Sequence, residues 1–171
     1  MIIEKHFEKR ILKDYFFIEG TIEIDDVYFI KQIKKGFKDK NNQTYKTNVR
    51  SKMTPWNWFV NDSKFIEIIQ KFIFYIDQKI LLPNYFLAEA WGMGLKKQEK
   101  TLEHNHEPDI WSGAIYLNDH NQTLDFTEIN KKIIPSKGKF VLFSSFLKHK
   151  SEPNLNNNIK WGISFNMAPK R

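Results

Sequence analysis

Hydrophobic positions follow two different periods along the chain, and the change from one period to the other divides the sequence into two halves. In residues 15–24, apolar and polar side chains alternate loosely, which predicts a strand or two. Residues 27–33 carry apolar side chains at helical spacing, and Asp25 or Asp26 can cap that helix. The first half is therefore predicted to begin with strand followed by a short helix.

A second, longer helix is predicted after a polar segment. Residues 41–54 are mostly polar and are predicted to form a loop. Asp62 or Ser63 can cap the helix that follows. Its apolar residues form one broad stripe, which we expect to pack on a sheet: Phe65, Ile66, Ile69, Phe72, Ile73 and Ile76.

From Leu82 onward the period is two, and short alternating runs are separated by turn residues. Seven strands are predicted there, in the runs YFLAEAWGMGL, TLEHNH, IWSGAIYLN, TLDF, KFVLFSS, a short piece after Phe146, and IKWGISFNM. So many strands without long helices between them indicate an antiparallel sandwich or small barrel, with helices covering one sheet. We expect a single domain over residues 1–171 that is mainly β with flanking helices. Residues 1–83 would supply supporting strands and helices, and residues 84–171 the barrel core with its site.

Composition narrows the chemistry that the chain can perform. The 171 residues include no Cys, so disulfides and a thiol nucleophile are excluded, and a transition metal would need His, Asp or Glu ligands. The first residues are charged throughout and lack the apolar core of a signal peptide. No apolar run approaches the roughly 18 residues of a membrane span. We expect a soluble cytoplasmic protein, in the host cell if a phage encodes it.

The net charge of +7 raises the question of a nucleic-acid partner. The basic residues are nearly all Lys, since Arg10, Arg50 and Arg171 are the only arginines. Recognition of phosphates and guanines relies mainly on the planar guanidinium group of Arg. A nucleic-acid partner is therefore open but not favoured, and a solvated Lys surface explains the charge.

Two histidines, one residue apart, precede a predicted strand in the segment EHNHEPDIWSGAIYL. Alternate side chains of a strand share a face, so His104 and His106 project to the same side, close enough to bind one metal ion. If the chain turns at Pro108, Glu107 or Asp109 can also be redirected towards that ion.

A third histidine is available about forty residues later, where His149 follows an apolar strand. Two close ligands and a distant third from a neighbouring strand are how a β-barrel builds a facial metal site with open coordination positions. The two remaining histidines, His6 in the charged N-terminal segment and His120 in the turn DHNQT, are expected at the surface.

The last predicted strand, KWGISFN, has one polar and one apolar face. Lys160, Gly162, Ser164 and Asn166 share the polar face, where an elongated acidic ligand could place its carboxylate on Lys160 and Ser164. A solvent-facing strand edge is the alternative. In the strand YFLAEAWGMGL, small residues at alternate positions from 88 to 94 leave a cavity or permit tight packing.

Four motifs in order, HNH, WSGAIYL, GKFVLFSSFLKHKSEPN and KWGISFN, resemble those of the iron(II) and 2-oxoglutarate-dependent oxygenases. The resemblance is to a small phage and marine-bacterial branch related to prolyl hydroxylases, which shows HxH, SGVYYL, FPS...H...PN and RxSxSFN. It covers about residues 88–166, and residues 1–83 carry no motif of it. It implies a double-stranded β-helix, the jelly-roll or cupin-like barrel, with iron at its open end.

The resemblance also assigns roles to individual residues. It implies that His104 and His149 bind Fe(II), and that Lys160, eleven residues after His149, binds the distal carboxylate of 2-oxoglutarate in place of the branch's usual Arg. Gly162 stands where the branch has a small hydroxyl residue, so anchoring would be weaker or shared with Ser164. The expected cofactor-binding set is Lys160, Ser164, Tyr116 and Asn166.

The middle metal ligand departs from the family pattern. Most of the superfamily has HxD or HxE where this chain has His106. Imidazole binds Fe(II), but a neutral ring in place of a carboxylate raises the net charge of the site by one. We take His106 as the third ligand and keep Asp109 and Glu107 as carboxylate alternatives.

The sequence therefore predicts an Fe(II)/2-oxoglutarate-dependent dioxygenase that consumes O2 and 2-oxoglutarate, releases succinate and CO2, and hydroxylates a substrate. Peptidyl proline or another protein side chain is the first choice of substrate, a nucleobase the second and a small metabolite the third. Trp91, Trp111 and Tyr116 are expected as pocket walls or as core residues. The alternatives are a three-histidine cupin-type dioxygenase that needs no 2-oxoglutarate, and a non-catalytic jelly-roll binding or virion-associated module.

Overall fold

The computed structural model describes residues 14–79 and 84–170. These residues form eleven strands and two α-helices, so the described chain is mainly β, as predicted. The elements in chain order are β1 (Phe17–Thr21), α1 (Asp26–Gly36), β2 (Val49–Arg50), β3 (Lys52–Met53), α2 (Ser63–Lys79), β4 (Tyr85–Leu95), β5 (Lys100–His104), β6 (Trp111–Tyr116), β7 (Leu124–Phe126), β8 (Lys131–Ile133), β9 (Lys139–Ser144), β10 (His149–Ser151) and β11 (Lys160–Pro169).

The strands form two antiparallel sheets. The six-stranded sheet has the order β1-β9-β6-β11-β4-β3, and the five-stranded sheet has the order β2-β5-β10-β7-β8. Apart from the pairs β3–β4 and β7–β8, strands that are consecutive in the chain alternate between the sheets, as in a double-stranded β-helix. One apolar cluster, which includes Phe126 of β7 and Phe143 of β9, fills part of the space between the two sheets.

Both helices pack on the outer face of the six-stranded sheet. Asp25 caps α1, because its carboxylate accepts from the backbone N–H of Tyr28 at 3.0 Å. Asp62 caps α2 in the same way, through the backbone N–H of Phe65 at 3.0 Å. The apolar stripe of α2 joins the large core cluster, in which Phe65 contacts Phe165 of β11. Neither helix combines the length and the apolar character that crossing a membrane requires.

Each of the seven strands predicted in the second half is present, but three short strands were not predicted. Two of them, β2 and β3, lie in the polar segment 41–54, and the third is β8. The loop prediction for residues 49–53 is therefore wrong. Buried Val49 and Met53 anchor that segment to the sheets, and two-residue strands are too short to show a period of two.

Small residues of β4 allow close packing of α1 rather than forming a cavity. A Cβ at Gly92 would lie 2.3 Å from Cγ1 of Ile33, which belongs to α1. Trp91 and Met93, which point to the opposite face of β4, line the space between the sheets. Of the two interpretations of this strand, tight packing is confirmed at Gly92.

Candidate metal centre

Three histidine side chains meet between the two sheets. His104 ends β5 and His149 begins β10, and the two residues are direct partners in the antiparallel pairing of these strands. His106 lies two residues beyond β5, where its backbone N–H donates to the carbonyl of Ser145 at 2.8 Å. One nitrogen from each ring can be chosen so that all three lie within 4.8 Å of one another. This arrangement brings together the three histidines that the sequence singled out.

Backbone contacts orient two of the three rings. Nδ1 of His104 lies 2.8 Å from the carbonyl of Leu102, and Nδ1 of His149 lies 3.0 Å from the carbonyl of Leu147. A carbonyl only accepts, so in each neutral ring the proton belongs on Nδ1. Nε2 of each ring is then left with a free lone pair, which is the state that a metal ion needs.

Burial keeps the three imidazoles neutral. It lowers the pKa of His104, and it lowers the pKa of His149 to about 3, with a further contribution from His104. The pKa of His106 falls to about 2, mainly through burial and then through His149 and His104. At neutral pH a metal ion would therefore meet uncharged rings, each with one nitrogen that carries no proton.

The carboxylate alternatives lie outside the histidine cluster. Among the described residues, the group that could hold a metal contains His104, His106 and His149 and no Asp or Glu. Glu107 and Asp109 line an open groove beside the cluster instead. Burial, and secondly the charge of Glu89, raise the pKa of Asp109. The geometry therefore favours His106 over either carboxylate as the third ligand.

A small pocket of about 50 Å³ extends from the histidines between the sheets, and Lys160 lies in its wall. We call it the inner pocket. Lys160 is only 5% exposed, and its ammonium donates to the carbonyl of Gln122 at 3.3 Å and to Oγ of Ser151 at 3.2 Å. Both partners are neutral, and no ion pair to Lys160 is formed by any described residue. Burial lowers the pKa of Lys160 to about 7, although Asp125 acts in the opposite direction.

Two other predicted cofactor-binding residues also line the inner pocket. Tyr116 lies on β6 opposite Gly162 of β11, and Ser164 lies two residues further along β11. The Tyr116 hydroxyl is buried and has no hydrogen-bond partner among the described residues. Within the described part of the chain, the buried ammonium makes no ion-pair contact and the buried hydroxyl has no partner, which fits a small dicarboxylate that would supply acceptors to both.

The fourth predicted cofactor-binding residue, Asn166, lies outside the inner pocket. It faces the open groove beside His106 and bonds to Ser112 and Glu89. Sequence reasoning did not single out Ser151 and Gln122, whose polar atoms contact Lys160. They are part of other segments, and only the pairing of those segments brings them to the ammonium.

The remaining histidines and aromatic residues have mixed outcomes. His120 is buried, and its Nδ1 accepts from the backbone N–H of Gln122 at 2.9 Å, so the prediction of a surface position is wrong. A polar turn sequence cannot show that the turn folds inward onto another segment. His6 lies outside the described residues. Trp91 and Tyr116 line the inner pocket, whereas Trp111 belongs to the core beneath the helices.

The open groove, which we call the outer groove, adjoins the histidines on the side away from Lys160. It has a volume of about 620 Å³ and is lined mainly by polar side chains. Its lining includes Gln43 and residues 46–50, the carboxylates of Glu107 and Asp109, and the rings of Trp56 and Trp91, which contact each other. A larger molecule could reach the histidines from this side.

Comparison with solved structures shows which proteins share this fold. A viral collagen prolyl hydroxylase from Paramecium Bursaria Chlorella virus-1, in complex with 2-oxoglutarate, has a TM-score of 0.68 at 17% identity, covering 92% of this chain and 97% of that one. A Pseudomonas putida prolyl-4-hydroxylase has a TM-score of 0.69 at 12% identity, with coverages of 91% and 93%. A Trichoplax adhaerens prolyl hydroxylase in complex with a hypoxia-inducible-factor peptide fragment has a TM-score of 0.61 at 14% identity, with coverages of 90% and 83%.

These likenesses establish a shared fold over most of both chains. No protein-family model matches the sequence, and no curated protein does so either. The double-stranded β-helix expected from the sequence motifs is confirmed.

Proposed function

We propose that this protein is an Fe(II)- and 2-oxoglutarate-dependent oxygenase that hydroxylates its substrate. The observation that carries the proposal is the buried Lys160 ammonium, which shares the inner pocket with three converging neutral imidazoles. One pocket would therefore hold both the end of 2-oxoglutarate that binds the metal and its distal carboxylate. The solved structures with this fold include complexes with 2-oxoglutarate.

The cofactors would supply the oxidising chemistry. With Fe(II) and 2-oxoglutarate bound, O2 is reduced while 2-oxoglutarate loses CO2 to become succinate, and the second oxygen atom enters a substrate C–H bond as a hydroxyl group. His104, His106 and His149 would hold the metal, as nitrogen ligands suited to Fe(II).

The protein's own side chains would bind and orient the cofactor. Lys160 would donate to the distal carboxylate of 2-oxoglutarate, and the Tyr116 hydroxyl would donate to the same ligand. The aromatic and aliphatic wall, including Phe143 and Leu124, would keep water away from the reacting groups. The substrate would bind in the outer groove, with the C–H bond that is to be hydroxylated next to the histidine cluster.

A peptide is the substrate class that we propose first. The outer groove offers amide and hydroxyl side chains to an extended backbone, including Gln43, Thr47 and Asn105, and it adjoins His106. Two proteins with the same fold are prolyl hydroxylases, and a third holds a peptide fragment. Peptidyl proline or another protein side chain is therefore the first choice, and a nucleobase is the second, on account of the net charge of +7.

An anaerobic titration tests the proposal. Fe(II) and 2-oxoglutarate added together should produce a visible charge-transfer band that neither produces alone, because the keto acid must chelate the metal. His149→Ala should abolish the band and turnover, whereas Lys148→Ala, which alters the exposed neighbouring residue, should retain both. A band of undiminished intensity in His149→Ala would refute the metal assignment.

The absence of a carboxylate from the described histidine cluster favours one second candidate, a three-histidine dioxygenase of the cupin type. Such an enzyme would need the metal and O2 but no 2-oxoglutarate. Measurement of succinate separates the two functions. Formation of succinate in proportion to O2 consumed supports the 2-oxoglutarate mechanism, and O2 consumption without succinate supports the second candidate.

A further inference from the structure

We propose that Asn166 is a positioning residue that places the ring proton of His106 on Nε2, the opposite of the arrangement in His104 and His149. The consequence for metal binding rests on the function proposed above. The proton position itself follows from hydrogen bonding and does not depend on that function.

The orientation of the Asn166 amide is fixed by its partners. Asn166 is 2% exposed, and its Oδ1 accepts from Oγ of Ser112 at 2.8 Å. Its Nδ2 donates to Oε2 of Glu89 at 3.0 Å, across the β4–β11 pairing. The Ser112 hydroxyl can donate or accept, so it would tolerate either orientation of the amide. The Glu89 carboxylate only accepts, so a rotated amide would set two oxygens against each other, and Nδ2 must face Glu89.

The same Nδ2 faces Nδ1 of His106 at 3.4 Å. This distance is long for a hydrogen bond. The direction of the contact is nevertheless defined, because an amide nitrogen can only donate. A proton on Nδ1 of His106 would point at an N–H group and be repelled. Nδ1 must therefore be the acceptor, and the single ring proton of neutral His106 belongs on Nε2.

The three rings are consequently not equivalent in the metal-free protein. Nε2 of His104 and His149 has a free lone pair, because a backbone carbonyl holds the proton on Nδ1 of each ring. Nε2 of His106 bears a proton, and its free lone pair on Nδ1 faces Asn166. A metal ion would thus find two prepared ligands, and His106 would join them only when the contact with Asn166 is rearranged.

The paired substitution Glu89→Gln with Asn166→Asp should reverse this arrangement. The new carboxylate at position 166 would accept from Nδ1–H of His106, and the new amide at position 89 would donate to that carboxylate. The pair keeps the total charge unchanged and preserves the hydrogen-bond network across β4 and β11. Nε2 of His106 would be left with a free lone pair, in a carboxylate–histidine arrangement that supports metal binding.

Nitrogen-15 NMR of the metal-free protein at pH 8 measures the proton positions directly. We expect His104 and His149 to be protonated on Nδ1 and His106 on Nε2, with His106 alone switching to Nδ1 in the paired variant. Asn118→Asp makes the same chemical change where the side chain contacts Ile159 and Trp161 instead, and it should leave all three rings as they are. A wild-type His106 protonated on Nδ1, or one that does not switch in the paired variant, would overturn the proposal.

A titration with Co(II) then tests the consequence for metal binding. The paired variant should bind Co(II) roughly tenfold more tightly or better than wild type, since contacts of this kind change metal affinity by about 10- to 100-fold. A switched ring with unchanged affinity would overturn the positioning role. If the NMR result is as expected but no variant binds Co(II), the proposed function fails while the assignment of the ring protons stands.

Discussion

At the scale of single residues, the protonation state of Lys160 should depend on whether an acidic ligand is bound. Its hydrogen-bond partners among the described residues are neutral, and burial lowers its pKa to about 7. A bound dicarboxylate would favour the charged form and raise that pKa. Above pH 7, ligand binding should therefore be coupled to proton uptake by Lys160.

We predict that 2-oxoglutarate binding at pH 8 takes up close to one proton per molecule. Calorimetric titrations in buffers of different ionisation enthalpy measure this number. Lys160→Arg should bind without proton uptake, because a guanidinium is already charged at that pH. Lys160→Met should lose most of the affinity for 2-oxoglutarate while retaining Co(II) binding. Proton uptake that is equal in wild type and Lys160→Arg would show that another group titrates.

Some features of the histidine cluster could be predicted from the sequence, and others could not. Alternation along a strand predicted that His104 and His106 project together, and they do meet, although β5 ends at His104; the pairing of β5 with β10 brings His149 to them. The network around His106 was beyond prediction, because Glu89 and Ser112 belong to different strands whose register the sequence does not specify. The burial of His120 was missed for the same reason, since it depends on contact with Asn158 of a distant loop.

At the scale of elements, the contact between α1 and β4 supports the wall of the inner pocket. Ile33 of α1 is fully buried against Gly92, while the neighbouring Trp91 and Met93 face the pocket. The alternating pattern predicted β4 as a strand, and helical spacing predicted α1. The glycine that contacts α1 could not be predicted, because it depends on the position of α1 along the sheet.

We predict that Gly92→Ala destabilises the protein by about 1–3 kcal/mol, as expected when a methyl group is forced into a close-packed site. The added Cβ would lie 2.3 Å from Cγ1 of Ile33, which is attached to the branched Cβ of a side chain with restricted χ1 rotation and so cannot move away easily. Urea unfolding of the wild type, both single variants and the double variant with Ile33→Ala measures the coupling. In the Ile33→Ala background the same substitution should cost little. An equal cost in both backgrounds would place the strain elsewhere.

At the scale of the whole molecule, the proposed metal ligands connect segments that are far apart in sequence. His104 and His149 belong to the five-stranded sheet, and the backbone of His106 bonds to Ser145, which directly follows β9 of the six-stranded sheet. A metal ion held by all three would therefore tie the two sheets together. The order of the motifs suggested this barrel, but the sheet pairing that produces the meeting point is visible only in the fold.

Metal binding should consequently raise the thermal stability of the entire domain. A ligand present at a hundred times its Kd stabilises the folded state by about 2.7 kcal/mol. For a domain of this size, that corresponds to a rise in Tm of roughly 5–10 °C. Co(II) should produce the rise and EDTA should reverse it, whereas Mg(II), which prefers oxygen ligands, should have no effect. His149→Ala should remove the response to Co(II), and Lys148→Ala should keep it. A Co(II)-dependent rise of equal size in both variants would mean that the ion binds somewhere other than the three histidines.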